Sequence, residues 1–258
     1  MMLTPKEGER EEYYDGEVSK SEDGQFQSGA YWPDEGTLDV YASTAAIAKD
    51  STISVTSIDD DIVVATKKAV DCSSNHDAIG LSFSHILAKL EVTAKVTDTD
   101  NFYAKIDTIK LVAKAPKKYD ITEAENSRWT LGDADTTIVY YEHYEYAPNL
   151  ITEGNSSAVN NGAEQSVTLD KNYVAPQTGV KVYVHYKLVD KNNTEVVFKD
   201  CTKNPAIIEV DNDGDALRFG EGMRTILHLT FAREKISFTV DSVNDYIDNT
   251  NYQYKTIQ

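Results

Sequence analysis

From Val180 to Leu188 the chain places an apolar residue at every second position: Val180, Val182, Val184, Tyr186 and Leu188 alternate with Lys181, Tyr183, His185 and Lys187. A period of two sends the two sets to opposite faces of an extended strand, one buried and one solvated. The pattern recurs at Leu38/Val40/Ala42, Ile53/Val55, Leu90/Val92/Ala94/Val96, Thr225/Leu227/Leu229/Phe231 and Ile236/Phe238/Val240, with a denser apolar run from Ile62 to Ala65. Clusters of Asp, Ser, Asn and Gly bound these runs, as turns between strands require. Only the stretch from Ala232 to Lys235 separates the last two runs, which predicts an antiparallel hairpin. One segment fits two templates. Phe83, Ile86, Leu87, Leu90 and Ala94 match helical spacing, with Ser82 or Ser84 as N-cap, yet the alternation merely slips phase between Leu81/Phe83 and Leu90/Val92. We read strand, slip, strand, with a β-bulge or short turn around His85 to Ala88. The remaining helix candidates are short, so the expected fold class is all-β, two β-sandwiches in tandem.

A chain of 258 residues is long enough for two modest domains, each with its own core. Residues 1–30 are rich in Glu, Asp, Gly and Ser and read as a mobile or partner-dependent arm, with structure beginning near Trp32. An N-terminal domain over 31–147 and a C-terminal domain over 165–258 are then expected on either side of 148–164, an Asn-, Gly- and Ser-rich linker or long loop.

The 43 acidic residues against 25 basic ones give a formal charge of −18. That surface repels phosphate backbones and anionic head groups, so neither a nucleic-acid partner nor binding to a lipid surface is expected. No apolar run approaches the roughly 20 residues that span a bilayer. Met1 to Lys20 lacks the basic start and apolar stretch of a secretory signal, so a targeting segment would lie outside this sequence. Cys72 and Cys201 allow one bridge and fall in different expected domains. Sixteen tyrosines against seven phenylalanines suit half-exposed sheets and assembly surfaces, because the ring is apolar and the hydroxyl stays wet.

The candidates for chemistry have plain structural readings beside them. His85 reads as a buried neutral imidazole bonded to backbone; as a catalytic base it needs a carboxylate or nucleophile partner, and the sequence identifies none. Cys72 and His76 supply two metal ligands where a tetrahedral site needs three or four, so no metal is expected. Glu209-Val-Asp211-Asn-Asp213-Gly214-Asp215 has calcium-loop-like spacing, but position twelve counted from Asp211 is Gly222 rather than a bidentate glutamate, and the segment reads as a turn. Asp59-Asp60-Asp61 reads as a solvated loop. Phosphate loops, nucleophile elbows and zinc-protease helices are missing, so neither enzyme activity nor a cofactor is expected. Along Ile138–Tyr146, Tyr140, Tyr144 and Tyr146 fall on one face of a strand and Tyr141 on the other. Such a strand stacks on sugar rings, packs against another subunit, or is simply half buried.

Tyr31-Trp32-Pro33, then Leu81-Ser-Phe83-Ser-His85-Ile-Leu-Ala88-Lys89-Leu90-Glu-Val92, then Ala175-Pro176-Gln177 and finally Phe219-Gly-Glu-Gly-Met223 occur in the order in which the fimbrillin (Mfa-like) family carries similar landmarks. The chain resembles that family from about Gln25 to Tyr246. The resemblance implies two transthyretin-like β-sandwiches and a structural or adhesive subunit of a bacterial surface fimbria, tip or accessory rather than stalk. It also implies export as a lipoprotein precursor, with the lipid on a segment outside this chain, and partners that are other fimbrial subunits and a host glycan or protein receptor. Stalk members of the family lose an N-terminal segment to a trypsin-like protease, and another subunit's strand fills the gap. By that resemblance Arg10 is a candidate cleavage site, and Tyr252, Tyr254 and Thr256 form a candidate donor strand. The alternative is a surface carbohydrate-binding module using Tyr140, Tyr141, Tyr144 and Tyr146.

Overall fold

The computed structural model describes residues 2–5, 14–17, 19–20, 26–27, 33, 36–72, 79–96, 102–142, 150–151, 165–167, 169–193, 195–232 and 236–244. In its first half the strands are β1 (Met2–Pro5), β2 (Tyr14–Asp15), β3 (Ser19–Lys20), β4 (Phe26–Gln27), β5 (Thr37–Ser43), β6 (Thr52–Ser54), β7 (Val63–Asp71), β8 (Ser84–His85), β9 (Ala88–Val96) and β10 (Phe102–Asp120). They continue as β11 (Trp129–Glu142), β12 (Leu150–Ile151), β13 (Gln165–Val167), β14 (Tyr173–Val174), β15 (Gln177–Thr178), β16 (Lys181–Asp190), β17 (Val197–Asp200), β18 (Ala206–Ile208), β19 (Arg218–Phe219), β20 (Met223–Phe231) and β21 (Ile236–Asn244). Among the described residues there is no α-helix, only a turn of 3-10 helix at Glu125–Ser127. The fold is all-β, and the helical alternative for 83–94 does not form.

The chain divides into two compact units. The first draws on the described residues up to Ile86 and on Pro116–Leu131, the second on Leu87–Ala115 and on the described residues from Gly132 onward. The boundaries expected at 31–147 and 165–258 follow the chain, whereas these units interleave. β9 and the first part of β10 precede residue 147 yet group with later strands, since β9 pairs in parallel with β20 and β10 pairs antiparallel with β16. The phase slip has the same origin: Ser84–His85 pairs with Val63–Val64 in the first unit, and three residues later Ala88 begins a strand of the second.

In the first unit a sheet runs in the order β2-β1-β5-β7-β8. Leu38, Val40, Val70, Cys72 and Ile79 form its apolar cluster, with Tyr14 and Leu81 packed against it. Order therefore starts well before Trp32. Met2–Pro5 lies between β2 and β5, with Met2 opposite Tyr41 and Pro5 opposite Leu38. A segment held by backbone ladders on both sides needs no apolar alternation of its own, and so leaves no periodic signal.

In the second unit the sheet containing β10, β16 and β17 packs through its apolar face on the sheet β13-β9-β20-β21, as the edge-to-face rings of Tyr186 and Phe231 show, 5.0 Å apart. Strict alternation delivers these side chains. Val182, Val184, Tyr186 and Leu188 are buried on β16, Leu227, Leu229 and Phe231 on β20. β20 and β21 form the expected hairpin, in register from Met223 opposite Asn244 to Phe231 opposite Ile236. At its entry Met223 N–H donates to the Gly220 carbonyl at 3.1 Å, and Gly222 sits at φ 64°, a left-handed conformation that glycine adopts without a Cβ clash. The tyrosines depart from expectation, since Tyr41, Tyr119, Tyr140 and Tyr186 are among the largest fully buried side chains. In a chain with few phenylalanines, tyrosine fills the core.

Candidate functional site

Two strand positions stand out, one in each unit. In the first, β1 lies inside the sheet, between β2 and β5, and is joined along the chain to β2 through residues 6–13. In the second, the margin next to β16 is made by two short strands in tandem, β17 against Lys187–Val189 and β18 against Val182–Val184. Val196, Val197 and Phe198 are 44%, 46% and 40% exposed, and Ile207 is 50% exposed. Val196 precedes β17, and the register shift between Leu188 and Val189 leaves Phe198 as the extra residue of a bulge in that strand. The strand is nonetheless firmly placed. Asp190 N–H donates to the Val196 carbonyl at 2.8 Å, Cys201 N–H to Tyr186 at 2.8 Å, and His185 Nδ1–H to Thr202 at 2.7 Å. The Asp200 carboxylate accepts from the Thr202 hydroxyl and N–H, which holds its pKa below the ordinary carboxylate value.

The residues singled out by sequence fall out as follows. Tyr140 is buried, its hydroxyl donating to the Tyr173 carbonyl, so it is a core residue and presents no ring for a sugar. The Tyr141 side chain, Tyr144 and Tyr146 lie outside the described residues, as do Arg10, His76, Tyr252, Tyr254 and Thr256. His85 departs from its backbone-bonded reading: Nδ1 meets Asp61 Oδ2 at 2.5 Å, with both side chains 17% exposed. A partner 24 residues away on another loop leaves no local sequence signal, and it removes Asp61 from the solvated loop expected for Asp59–Asp61. The Asp211 segment is a turn, with Asp211 Oδ1 accepting the N–H groups of Asp213 and Asp215 at 3.0 and 3.1 Å. Asn212 next to it pairs both ways with the Val240 backbone. Both cysteines are free thiols, and burial together with the Asp71 charge pushes the Cys72 thiol up from its ordinary pKa. No cluster of three metal-ligating side chains occurs among the described residues.

The Ala175-Pro176-Gln177 step has a geometric role that periodicity does not reveal. Gln177 Oε1 accepts the Lys114 N–H at 2.8 Å and its Nε2 donates to the Lys114 carbonyl at 3.0 Å and to Ala175 at 3.1 Å. The carboxamide thus imitates a strand partner for β10 just beyond Val112, the last residue paired with β16. Gln177→Ala is expected to cost about 1–2 kcal/mol in urea unfolding, and Gln177→Glu at least as much, because a carboxylate faces the Lys114 carbonyl without a donor.

The class is set by these features. It is that of an all-β chain with tyrosines in its core and its exposed apolar side chains gathered on short strands and the turns beside them. The chain belongs to the fimbrillin-like family, whose model matches residues 1–245. By family it is a fimbrial, adhesion-related protein of the cell surface, a class that assembles with other fimbrial subunits. Among solved structures it is similar to a fimbrial protein from Bacteroides vulgatus ATCC 8482, with a TM-score of 0.55 and 15% identity, over 94% of this chain and 90% of that one. It is also similar to a protein from Bacteroides uniformis ATCC 8492 with a proposed role in cell adhesion, at a TM-score of 0.50 and 15% identity, over 94% of this chain and 91% of that one. At such identities the likeness is one of fold. A comparison with curated proteins finds no match.

Proposed function

We propose that this chain is a non-catalytic structural or adhesive subunit of a surface fimbria, at the tip or in an accessory position, which joins its neighbours by accepting a donated strand beside β5. The observation that carries this reading is the placement of β1. It fills a mid-sheet position between β2 and β5 through backbone pairing, and Arg10 follows it before β2 begins. Cleavage at Arg10 cuts the covalent link to β1. Once β1 leaves, the backbone donors and acceptors of β5 lie open, and an incoming strand satisfies them.

The test is a chain lacking residues 1–10, checked for folding by circular dichroism, and titrated with a labelled peptide of the sequence Met1–Arg10. Binding to the shortened chain, with little or none to the intact chain, is the expected result. A folded shortened chain that binds no peptide overturns the strand-acceptor reading. Light scattering on the same material assigns position. A chain that binds peptide and stays monomeric fits a tip or accessory subunit, whereas a ladder of self-polymers overturns that placement in favour of a stalk subunit.

A further inference from the structure

β21 ends the path β13-β9-β20-β21, so among the described residues no strand lies beyond it. Its nine residues, Ile236–Asn244, pair with β20 without a register shift. Sheet edges are ordinarily blunted by lysine, proline or a bulge, because an open ladder invites a strand from another chain. The margin at β17 has its bulge. β21 has no lysine, no proline and no bulge, and Asp241 is its single charged residue.

That edge is closed from outside the strand. Asn212 Oδ1 accepts the Val240 N–H at 2.8 Å, and Asn212 Nδ2 donates to the Val240 carbonyl at 2.7 Å. Because Val240 sits in the antiparallel ladder opposite Leu227, backbone groups bonded to Asn212 are those that point away from β20. The carboxamide meets them as the peptide group of a next strand would, the same imitation that Gln177 performs at Lys114. Val240 is the central residue of the nine. We propose that Asn212 is an edge guard, which keeps β21 from pairing antiparallel with the β21 of a second copy.

The turn that carries Asn212 is built to hold it in place. Val210 bridges Ala216, Asp211 N–H donates to the Asp215 carbonyl at 2.8 Å, and Leu217 N–H donates to the Glu209 carbonyl at 3.0 Å. Gly214, at φ 86°, supplies the left-handed residue that the turn needs. The acidic run with calcium-loop-like spacing thereby fixes a side chain whose partner lies 28 residues away. The occupant it excludes is set by the edge itself. A two-fold axis at Val240 places Phe238 opposite Ser242 and Asp241 opposite Thr239, so no like charges meet, and one patch serves both copies. In a fimbria many copies lie close together, and an open β21 edge there joins them out of order. The guard belongs to the second unit and is independent of the strand-acceptor position beside β5.

The test uses the full chain with β1 in place. In sedimentation equilibrium the unaltered chain is expected to be monomeric, and N212A to form a dimer with a Kd on the order of 10–100 μM. In dilute, monomeric N212A the Val240 amide is expected to exchange about tenfold faster, since its acceptor is gone. By the alternation of the ladder the Ser242 N–H also points away from β20, so N212A/S242P loses an outward donor, keeps its pairing with β20 and returns to a monomer. Circular dichroism checks that each variant is folded. Asn212→Ser, whose short hydroxyl cannot meet both groups of Val240, takes the place of N212A if the alanine chain does not fold, and is expected to dimerise in the same way. A folded Asn212 variant that stays monomeric up to about 1 mM overturns the proposal. Association that S242P leaves intact also overturns it, as does a Val240 amide that exchanges no faster than in the unaltered chain.

Discussion

Replacing Phe231 with alanine is expected to lower the unfolding free energy by about 3–5 kcal/mol, the largest loss from any single side chain considered in the second unit. Phe231 ends the buried row of β20 and is fully buried. Its ring meets that of Tyr186, from the opposite sheet, edge to face with centroids 5.0 Å apart and planes at 63°. Removal therefore costs the transfer of a large ring, an aromatic contact of about 0.5–1.5 kcal/mol, and the cavity left between two sheets that cannot close on it. Tyr186 makes the cavity worse. Burial, with the Cys201 thiol beside it, pushes its phenol well above the ordinary pKa, which marks an environment where the hydroxyl has little water to turn to. Phe231→Leu keeps most of the volume and is expected to lose about 1–1.5 kcal/mol. Urea unfolding followed by circular dichroism checks both. A loss below about 1 kcal/mol for the alanine variant would mean that β16 and β20 do not share one core.

Why the sheets were legible and the surfaces less so follows from where the information sits. Burial of one strand face writes period two into the sequence, so β5, β9, β16, β20 and β21 were readable from their apolar rows. β10 was not. Its buried residues run Phe102, Ala104, Ile106 and then Ile109, Leu111 and Ala113, because the register shifts between Ile106 and Thr108 and the alternation changes phase at Asp107. One extra residue hides a 19-residue strand from a template that demands strict alternation. β1 was missed because its place is set by ladders on both sides. Tyr140 was left open between a contact surface and a half-buried strand because tyrosine tolerates both environments and a single strand does not say which sheet covers it. Gln177 and the His85–Asp61 pair depend on residues 63 and 24 positions away. Sequence order brought the family landmarks together, whereas the register that gives them work is a three-dimensional fact.

Asp39→Ala is the second substitution with a large expected effect, about 1–3 kcal/mol of lost stability, and it acts on the sheet that holds β1. Leu38 pairs with Val70 and Val40 with Lys67, so Lys68 and Ala69 together oppose Asp39 in a bulge of β7. Ala69 is held at φ 55°, a left-handed conformation that costs an L-residue about 1 kcal/mol. Its N–H, turned out of the regular ladder, is taken by Asp39 Oδ1 at 2.9 Å, and Asp39 itself is only 6% exposed. Alanine removes the acceptor and leaves that N–H with the cost of a missing bond, whereas asparagine retains a carbonyl oxygen and should lose less than half as much. Ala69→Gly works in the opposite direction, relieving the backbone and gaining about 0.5–1 kcal/mol. Asp39 also pairs with Thr4 of β1, so hydrogen exchange of the Asp39→Ala chain separates two mechanisms. Faster exchange across both β1 and β5, with β20 and β21 unchanged, means that the bulge steadies the strand to which β1 is docked. Faster exchange confined to Ala69 and its neighbours in β7 means that the bulge is a local device, and that release of β1 is governed by its own ladder alone.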